Sequence, residues 1–587
     1  MIPSIRLSLI ALVTALSSGL VPIVTAHADD GQSLLQEVNH IVVIYQENHS
    51  FDNLFGGWEH VDGIRVGDTH KGGHVPQVDQ EGRIFACLPQ NDVNLTSAKP
   101  FPKDCSEGAD AIGDQFKNKP FSLDKLLSFS DLTCVPPGLR ADNGLAKGYG
   151  LRGGCTRDMV HRFYQEQYQI NKGRMDRYVV GSDAVGLVMG YYETNNLPIY
   201  KYLHRAGHPR YVIADNFFQA AFGGSFLNHQ WLIAARTPEW VDAVNDGSAF
   251  DQHSVVDSNG MPKSSMLYTP PANAFGMDQA LTASCKPSEK RGPTPAGVVC
   301  GNFVVNTIQS RAWPYDPNVS DSEKRLPLLT TTTIGDELTA AGVDWAWYSG
   351  GWANAEGADK QPGYTNRPRY TRPGGGPQCP ATAYENARWP KCPDKLFQFH
   401  HQPFNYYANY APGTKAREDH LRDEEEFILL AKGSRSEPCK LRKVSFVKPN
   451  GGDNEHPGYA SLWKGNNHLV DLIKYVVNSS CAKDTMIIVT YDEFGGQADH
   501  VPPPATGNPV GPYDQWGPGT RIPALVIAPH LKNEFAVDHE AHDTTSILAT
   551  IEHRFGLSSL GSRDAAVKDL STIFKAKGVP AQAPKQY

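Results

Sequence analysis

Apolar residues recur in short runs along the chain, at consecutive rather than alternating positions. A strand buried on both faces needs this pattern, because successive side chains point to opposite faces of the sheet. Segments with helical spacing separate the runs, which predicts an α/β fold with a mainly parallel central sheet covered by helices on both faces. The predicted strands are 40–45, 211–214, 345–348, 444–447, 486–491 and 522–528, and the predicted helices are 187–206, 226–235, 333–341, 465–477 and 543–555.

Polar clusters follow four of these predicted strands. In an open parallel sheet the carboxyl ends of the strands lie at one edge, where ligands bind. We therefore expect the four clusters to meet at a single site, although they are far apart in the chain. Their members are Glu47 and Asn48, then Gly223, Gly224 and Ser225, then Asp453, Asn454, Glu455 and His456, and finally Asp492 and Glu493.

Three stretches, near 57–155, 236–330 and 350–440, are rich in Gly, Pro and Cys and lack a periodic pattern. Loops of this length without structure of their own are uncommon unless they are functional. The chain has no internal repeat and no low-complexity linker. We interpret 29–587 as a single catalytic domain with insertions at these three places. The insertions are expected to form the walls of a pocket.

The first 28 residues differ from the rest of the chain. Arg6 is their only charged side chain, an apolar stretch covers 7–24, and small residues at Ala26 and Ala28 form a cleavage pattern. This arrangement predicts a secretory signal peptide. A membrane anchor is the alternative, but polar and small residues at 17–19 interrupt the apolar stretch. We expect export to the periplasm or the medium, with no transmembrane anchor after cleavage.

Export changes the interpretation of the ten cysteines. An even number in an exported chain, without a CxxC pair, favours disulfides over zinc sites. We predict that neighbours pair, because Cys285 with Cys300 and Cys379 with Cys392 would close short loops. Cys439 and Cys481 each lie just before a predicted strand. Disulfides are thus expected to cross-link the long insertions.

The composition narrows the class of protein further. Of the 587 residues, 40% are apolar and 10% aromatic, so the chain can build a large core and is neither disordered nor fibrous. The 55 basic and 63 acidic side chains give a net charge of −8, without a long basic run. This balance argues against nucleic acid as a partner.

The acidic clusters predict a metal site. Glu47, Asn48, Asp492 and Glu493 offer three carboxylates and one amide, all hard oxygen donors. Carboxylates brought together repel one another, and a divalent cation is the least costly way to keep them ionised. Oxygen ligands favour Ca²⁺, Mg²⁺ or Mn²⁺ over Zn²⁺. Each pair alone is more often a helix cap or a solvated turn.

Ser225 follows two glycines and opens a predicted amphipathic helix. Glycines permit a sharp turn and a close approach of substrate, and free amides at the start of a helix attract anions. Ser225 is therefore placed where a phosphate or sulfate would bind, although a simple N-cap is the alternative. Asn228 and His229, one turn further on, are candidate substrate-binding residues.

Three histidines lie in polar clusters beside strands or turns, and each could donate a hydrogen bond to phosphoryl oxygens or protonate a leaving alcohol. A structural role is the alternative for any one of them. They are His161, His456 and His500.

Four segments, in this order, carry a resemblance to a known family. They are HIVVIYQENHSFDNLFG at 40–56, YDEFGG at 491–496 with DHVPP at 499–503, GPGTRIPALVIAP at 517–529 and SILATIEHRFG at 546–556. Together they resemble the bacterial phosphoesterase family that contains phosphatidylcholine-type phospholipases C and an acid phosphatase, and the likeness spans roughly 38–557.

This resemblance implies an alkaline-phosphatase-like α/β fold with one divalent metal ion. It implies a nucleophile at Ser225 and a metal-binding role for Asn48. It also implies that histidines surround the phosphoryl group, whereas the motif around His500 is recognisable without a defined role. The residues that the resemblance implies are Glu47, Asn48, Asp492 and Glu493 for the metal, Ser225 for the nucleophile, and His161 and His456 beside the phosphoryl group. We add Asn48 to the catalytic residues and take Asn228, His229 and His500 as candidates for substrate binding.

Two features assign a branch within the family. The phospholipase branch has a Thr followed by Pro-Asn-Arg, whereas Ser225 is followed by FLNHQ, which is similar to the acid phosphatase branch. The aromatic segment FQFHHQPFNYY at 397–407 is also similar to that branch, or it simply packs under a loop. A sulfatase is disfavoured because Ser225 lacks the Cys/Ser-x-Pro-x-Arg setting.

The sequence thus predicts an exported, metal-dependent acid phosphatase of broad specificity. It would hydrolyse small phosphate monoesters through a phosphoserine intermediate. The alternative is a phospholipase C that acts on phospholipid headgroups, and a non-enzymatic surface protein is the remaining possibility.

Overall fold

The computed structural model describes residues 30–64, 73–88, 117–124, 156–241, 243, 255–257, 259–270, 299, 301–315, 324–364, 397–458, 460–504 and 514–580. The predicted signal peptide, large parts of the three predicted insertions, and the pairs Cys285–Cys300 and Cys379–Cys392 lie outside these residues. Within the described ranges, no helix combines the length and the apolar character needed to cross a bilayer.

A nine-stranded sheet forms the centre of the fold, and all six predicted strands belong to it. Its order is β13-β11-β4-β10-β9-β1-β8-β6-β7, and two pairs of two-residue strands lie outside it. In chain order the strands β1 to β13 are His40–Gln46, Phe121–Ser122, Gly190–Tyr191, Tyr211–Ala214, Phe217–Phe218, Trp345–Ser349, Leu421–Asp423, Val444–Lys448, Thr485–Tyr491, Ala524–Ile527, Phe535–Asp538, His542–Asp543 and Lys577–Gly578.

The sheet is mostly parallel, as predicted, but not entirely. β1 runs parallel to both β8 and β9, and β6 runs parallel to β7 and β8. β10 is antiparallel to β9 and to β4, because consecutive strands that are neighbours in the sheet need no helical crossover. Since β10 opposes both of its neighbours, β4 points in the same direction as β9. The four strands that precede the polar clusters therefore end at the same edge.

The central strands are buried on both faces. Every residue of β1, β8 and β9 is buried, although their side chains alternate between the faces. This burial confirms the prediction that both faces of the sheet are covered. A mixed α/β fold is thus established.

Eleven α-helices occur in the described part of the chain, and four of the five predicted helices are among them. In chain order α1 to α11 are Asp30–Gln36, Phe51–Leu54, Phe163–Ile170, Pro198–Leu203, Ser225–Ala234, Ile334–Ala340, Trp352–Glu356, Lys415–His420, Glu424–Ala431, Leu462–Val477 and Thr545–Phe555. Short 3-10 helices are Gly186–Met189, Thr194–Asn196, Phe399–His401, Pro403–Tyr406, Ala408–Tyr410, Ser480–Lys483 and Leu570–Lys575.

Two helix predictions need correction. The single helix predicted over 187–206 is instead a 3-10 turn, the short strand β3, a second 3-10 turn and α4, which begins at Pro198. Proline fits the first turn of a helix because that position needs no N–H donor, so it starts a helix here instead of continuing one. The helix predicted to be amphipathic, α5, is buried at all ten of its residues.

A disulfide joins Cys439 to Cys481, with 4.8 Å between their Cα atoms. The first cysteine precedes β8 and the second precedes β9, and these strands flank β1. The pairing agrees with the prediction that neighbouring cysteines bond. It ties together the two chain segments that enter the strands on either side of β1.

Candidate active site

The register of the sheet brings the first cluster, Glu47 and Asn48, next to the last, Asp492 and Glu493. β1 and β9 are paired so that Gln46 lies opposite Tyr491. The next residues, Glu47 and Asp492, therefore follow adjacent strand ends. Asn48 adopts a left-handed backbone conformation with φ 57°, and its N–H donates to Asp492 Oδ1 over 3.2 Å. The turns that carry the two clusters are thus hydrogen-bonded to each other at the carboxyl edge of the sheet.

Ser225 approaches this pair from the start of α5. Its hydroxyl oxygen lies 3.4 Å from Glu47 Oε2 and 3.5 Å from Asn48 Oδ1. Gly223 makes the approach possible, because its φ is +93° and a Cβ there would lie 2.8 Å from the backbone nitrogen of Phe163. Ser225 is only 5% exposed. The structure therefore places a hydroxyl beside the acidic cluster.

The carboxylates are buried and incompletely partnered. Asp492 Oδ1 accepts from the N–H groups of Asn48 and Glu493, but Asp492 Oδ2 has no hydrogen-bond partner. Glu493 Oε2 accepts from Gly495 over 2.7 Å, whereas Glu493 Oε1 accepts no hydrogen bond. Burial and the charge of Glu47 raise the pKa of Asp492 to about 8. Burial and the charge of Asp492 raise the pKa of Glu493 well above its ordinary value.

These features fit a divalent cation. Asp492 Oδ2 and Glu493 Oε1 accept no hydrogen bond, and together with Glu47 Oε2 and Asn48 Oδ1 they offer hard divalent cations an all-oxygen set of candidate ligands on side chains with no exposed surface. A cation would remove the repulsion that raises the two pKa values. The structure thus places the four residues predicted to bind the metal after two adjacent strand ends.

Two histidines face the same centre. His161 Nδ1 lies 2.6 Å from the carbonyl oxygen of Met159, so this nitrogen carries the proton and Nε2 is left as an acceptor. His456 Nδ1 is held in the same way by a backbone carbonyl. The Nε2 atoms of His161 and His456 lie 3.4 Å and 2.8 Å from Asn48 Nδ2. Burial and the nearby Arg162 lower the pKa of His161 to about 3.

The far side of Glu47 holds two residues that sequence reasoning did not select. Lys448 Nζ contacts Glu47 Oε1, and His401 Nε2 lies 2.8 Å from the same oxygen. Burial alone would raise the pKa of Glu47, but His401 and Lys448 outweigh it and hold that pKa well below its usual range. A charged residue at the end of an apolar strand was the available signal for Lys448.

Comparison with known proteins identifies the family of this chain. The phosphoesterase family profile matches residues 38–127 and 141–558. The chain belongs to the phosphoesterase family. It is 34% identical over 165 residues to phospholipase C B of Mycobacterium tuberculosis strain H37Rv, covering 24% of this chain and 31% of that protein. It is 28% identical over 150 residues to non-specific phospholipase C1 of Arabidopsis thaliana, covering 22% and 28% of the two chains.

A third relative, the non-hemolytic phospholipase C of Pseudomonas aeruginosa strain PAO1, is 28% identical over 162 residues, 23% of each chain. The matched regions span less than a third of these curated relatives. Family membership identifies this phosphoesterase as a hydrolase that acts on phosphoric esters.

A buried glutamate positions the serine turn of the phosphoesterase. Glu166 Oε2 accepts from the N–H of Gly223 over 2.6 Å and from Gln219 Nε2 over 2.9 Å. Gln219 Oε1 in turn accepts from the N–H of Phe494 over 2.9 Å. This network couples the turn before Ser225 to the turn that carries Asp492 and Glu493. No motif in the sequence pointed to Glu166.

Asn228 and His229, predicted to bind substrate, are fully buried in the phosphoesterase. Asn228 Oδ1 accepts from the N–H of Ala221 over 2.9 Å, so this side chain shapes the turn before the helix. His229 Nδ1 lies 2.7 Å from the carbonyl oxygen of Ser225, and its ring stacks on His401 with centroids 5.1 Å apart. Both side chains therefore contact the backbone around Ser225.

His500, also predicted to bind substrate, lies in a separate ion-pair cluster. Its Nδ1 is 2.7 Å from Asp52 Oδ2 and its Nε2 is 3.2 Å from Asp62 Oδ1. Arg521, which has no exposed surface, pairs with Asp52 and with Asp499. Burial would lower the pKa of His500, but Asp52 outweighs it and the pKa rises to about 10.

We expect His500→Gln to destabilise the phosphoesterase in a pH-dependent way. Because the pKa of His500 is about 10 in the fold and 6.5 ordinarily, its stabilisation is complete below pH 6.5 and is lost as the pH rises through 10. The variant should lose about 1–3 kcal/mol of unfolding free energy near pH 6.5. Denaturant unfolding from pH 6 to pH 10 measures this difference, which should shrink with rising pH.

His530→Gln is the matched control, because His530 is 41% exposed beside Glu37. It should change the unfolding free energy little at any pH. A constant difference between wild type and His500→Gln over the whole range would contradict the ion-pair role.

Proposed function

We propose that this phosphoesterase is an exported, metal-dependent acid phosphatase that hydrolyses phosphate monoesters through a phosphoserine intermediate. The observation that carries the proposal is the placement of the Ser225 hydroxyl, 3.4 Å from Glu47 Oε2 and 3.5 Å from Asn48 Oδ1. A nucleophilic alcohol beside a cluster of metal-ligand types is the arrangement that covalent phosphoryl transfer needs. Export follows from the predicted signal peptide.

Glu47, Asn48, Asp492 and Glu493 would hold the metal ion, with Ca²⁺, Mg²⁺ or Mn²⁺ favoured by the oxygen donors. When bound, such an ion lowers the pKa of a neighbouring hydroxyl and offsets the charge of the phosphoryl group. All four residues have no exposed surface. The proposed ligands lie on two adjacent strand ends, which keeps their spacing fixed.

Ser225 Oγ attacks phosphorus in line, so that an O–P bond to serine forms while the bond to the leaving alcohol breaks. The serine proton is lost to solvent water as the hydroxyl ionises. On the opposite side of phosphorus, the leaving alcohol oxygen takes up a proton from Nε2 of His161 or His456, which is in turn protonated by solvent water. Asn48 Nδ2 lies next to the Nε2 atoms of both imidazoles. In the substrate complex a phosphoryl oxygen becomes the acceptor of its hydrogen bond. Water then hydrolyses the phosphoserine, which releases phosphate and restores the hydroxyl.

The second candidate is a phospholipase C that cleaves phosphatidylcholine-type lipids. The names of the curated relatives favour it, since the matched proteins are phospholipases C. Against it stands the sequence after Ser225, which lacks the Pro-Asn-Arg of the phospholipase branch. Both activities would share the serine and the metal ligands, so they differ in the substrate that the walls admit.

Paired assays on the purified full-length chain separate the two candidates. We expect p-nitrophenyl phosphate to be hydrolysed at least about 100-fold faster than phosphatidylcholine vesicles. A chelator should abolish the activity and added divalent metal should restore it. Faster hydrolysis of the vesicles would establish the phospholipase instead. Hydrolysis of neither substrate, in metal-loaded protein, would overturn both.

A further inference from the structure

Lys448 is a buried cation next to the proposed metal site. It is the last residue of β8 and has no exposed surface. Its Nζ contacts Glu47 Oε1, donates to the carbonyl oxygen of Gln46 over 3.2 Å and lies 5.0 Å from the centre of the Tyr45 ring. A buried ammonium is costly unless it is paired. The ammonium therefore contributes to the charge balance of the site through its ion pair with Glu47.

Glu47, the ion-pair partner of this ammonium, also belongs to a group of three side chains that could hold a metal ion. One ligand atom from each of Glu47, His229 and His401 lies within 4.8 Å of the others. His229 donates from Nδ1 to the carbonyl of Ser225, and its Nε2 is buried without a hydrogen-bond partner. Two imidazoles and a carboxylate form a donor set that suits Zn²⁺. This donor set is distinct from the all-oxygen set on the opposite side of Glu47.

The two sides of Glu47 differ in what faces them. Oε2 faces the Ser225 hydroxyl at 3.4 Å, whereas Oε1 faces Lys448 and His401. The three carboxylates of Glu47, Asp492 and Glu493 carry three negative charges. One divalent ion and one ammonium balance this charge, so a second divalent ion would bring an excess of positive charge into a buried site.

We propose that the Lys448 ammonium takes the place of a second metal ion between Glu47, His229 and His401, and so restricts the phosphoesterase to one divalent ion. The inference rests on the proposed function, because it assumes that the ion binds on the Oε2 side of Glu47. Lys448 acts through Glu47 and does not touch substrate. It is a positioning residue that holds Glu47 Oε1, so that Glu47 Oε2 faces Ser225.

The first test counts the zinc ions bound per full-length chain after equilibration with excess zinc, by elemental analysis. We expect one ion in the wild type and two in Lys448→Ala, because removal of the side chain opens the position to a metal. The additional ion should be lost in the double variant Lys448→Ala/His401→Ala. Lys440→Ala is the matched control, at a lysine that is 58% exposed, and should bind one ion.

Lys448→Met provides a second, independent readout, since it keeps most of the side-chain volume but removes the charge. Calorimetry should show Mn²⁺ binding at least about 10-fold more tightly than in the wild type, because the site becomes more negative. This measurement decides the question even where Lys448→Ala does not fold.

An unchanged Mn²⁺ affinity in Lys448→Met would overturn the proposal. A folded Lys448→Ala with one zinc ion, or two zinc ions in the wild type, would overturn it as well. A wild-type chain that binds no divalent ion would instead overturn the metal-dependent function proposed above. The failure of this inference and that of the proposed function are therefore separate results.

Discussion

Ser225→Ala is expected to lower kcat for aryl phosphate hydrolysis by at least about four orders of magnitude, with the fold intact. Ser225 Oγ is the hydroxyl held at 3.4 Å and 3.5 Å from Glu47 and Asn48, and no other group replaces it when the side chain is shortened. Steady-state kinetics of the metal-loaded protein measures the loss. Metal content should stay unchanged, because the proposed carboxylate and amide ligands remain in place.

Ser445→Ala is the matched control for this substitution. Ser445 lies in β8, is fully buried and has an Oγ atom without a hydrogen-bond partner. Its replacement removes a hydroxyl of the same kind away from the nucleophile and should leave kcat within about 2-fold of the wild type. Normal turnover in a folded Ser225→Ala variant would remove Ser225 from the mechanism.

Asp492→Asn is expected to weaken the affinity for the divalent ion by at least about 100-fold. Asparagine keeps an oxygen that can accept from the N–H groups of Asn48 and Glu493, so the turn retains its hydrogen bonds. The substitution removes the negative charge and can replace the unpartnered Oδ2 by a nitrogen. Calorimetric titration with Mn²⁺ measures the change in affinity, and activity at saturating metal shows what remains.

Asp471→Asn tests whether any acidic residue would have the same effect. Asp471 is 51% exposed and pairs with Lys474 at the surface. Its substitution should change neither metal affinity nor activity measurably. Unchanged metal content together with an unchanged rate in Asp492→Asn would count against Asp492 as a ligand.

The positions of the central strands could be predicted because burial on both faces requires continuous apolar runs. All six predicted strands form part of the sheet. The missed strands β7 and β13 have only three and two residues, too few to show a pattern, whereas β11 has four, as many as the predicted strand β4. The reversed direction of β10 could not be predicted, because direction depends on how the chain returns to the sheet rather than on the strand itself.

The convergence of the acidic clusters with Ser225 could also be predicted, since strand ends at one edge meet in space. The residues that contact these clusters only through tertiary packing could not be predicted. Glu166 contacts Gly223 from a different helix, and Lys448 meets Glu47 across neighbouring strands. His229 has helical spacing from Ser225, but α5 is buried all round, so that spacing did not reveal which residues face the site.

The alkaline-phosphatase-like assignment remains a prediction from the resemblance. In the fold, β1, β4, β8 and β9 all end at one edge of the sheet, and residues of the candidate site follow them there. His456 also reaches the site from a strand end, because it lies after β8. His161 reaches the site from the segment before α3.

The most direct test of covalent catalysis at Ser225 is acid quenching of the metal-loaded, full-length protein during turnover of an aryl phosphate. Digestion and mass spectrometry then locate any phosphate that is bound covalently to the chain. We expect phosphate on the peptide that contains Ser225, and none at that position in Ser225→Ala. Phosphate on a different side chain, or unmodified Ser225 in a sample quenched during a burst of released alcohol, would contradict the proposed mechanism.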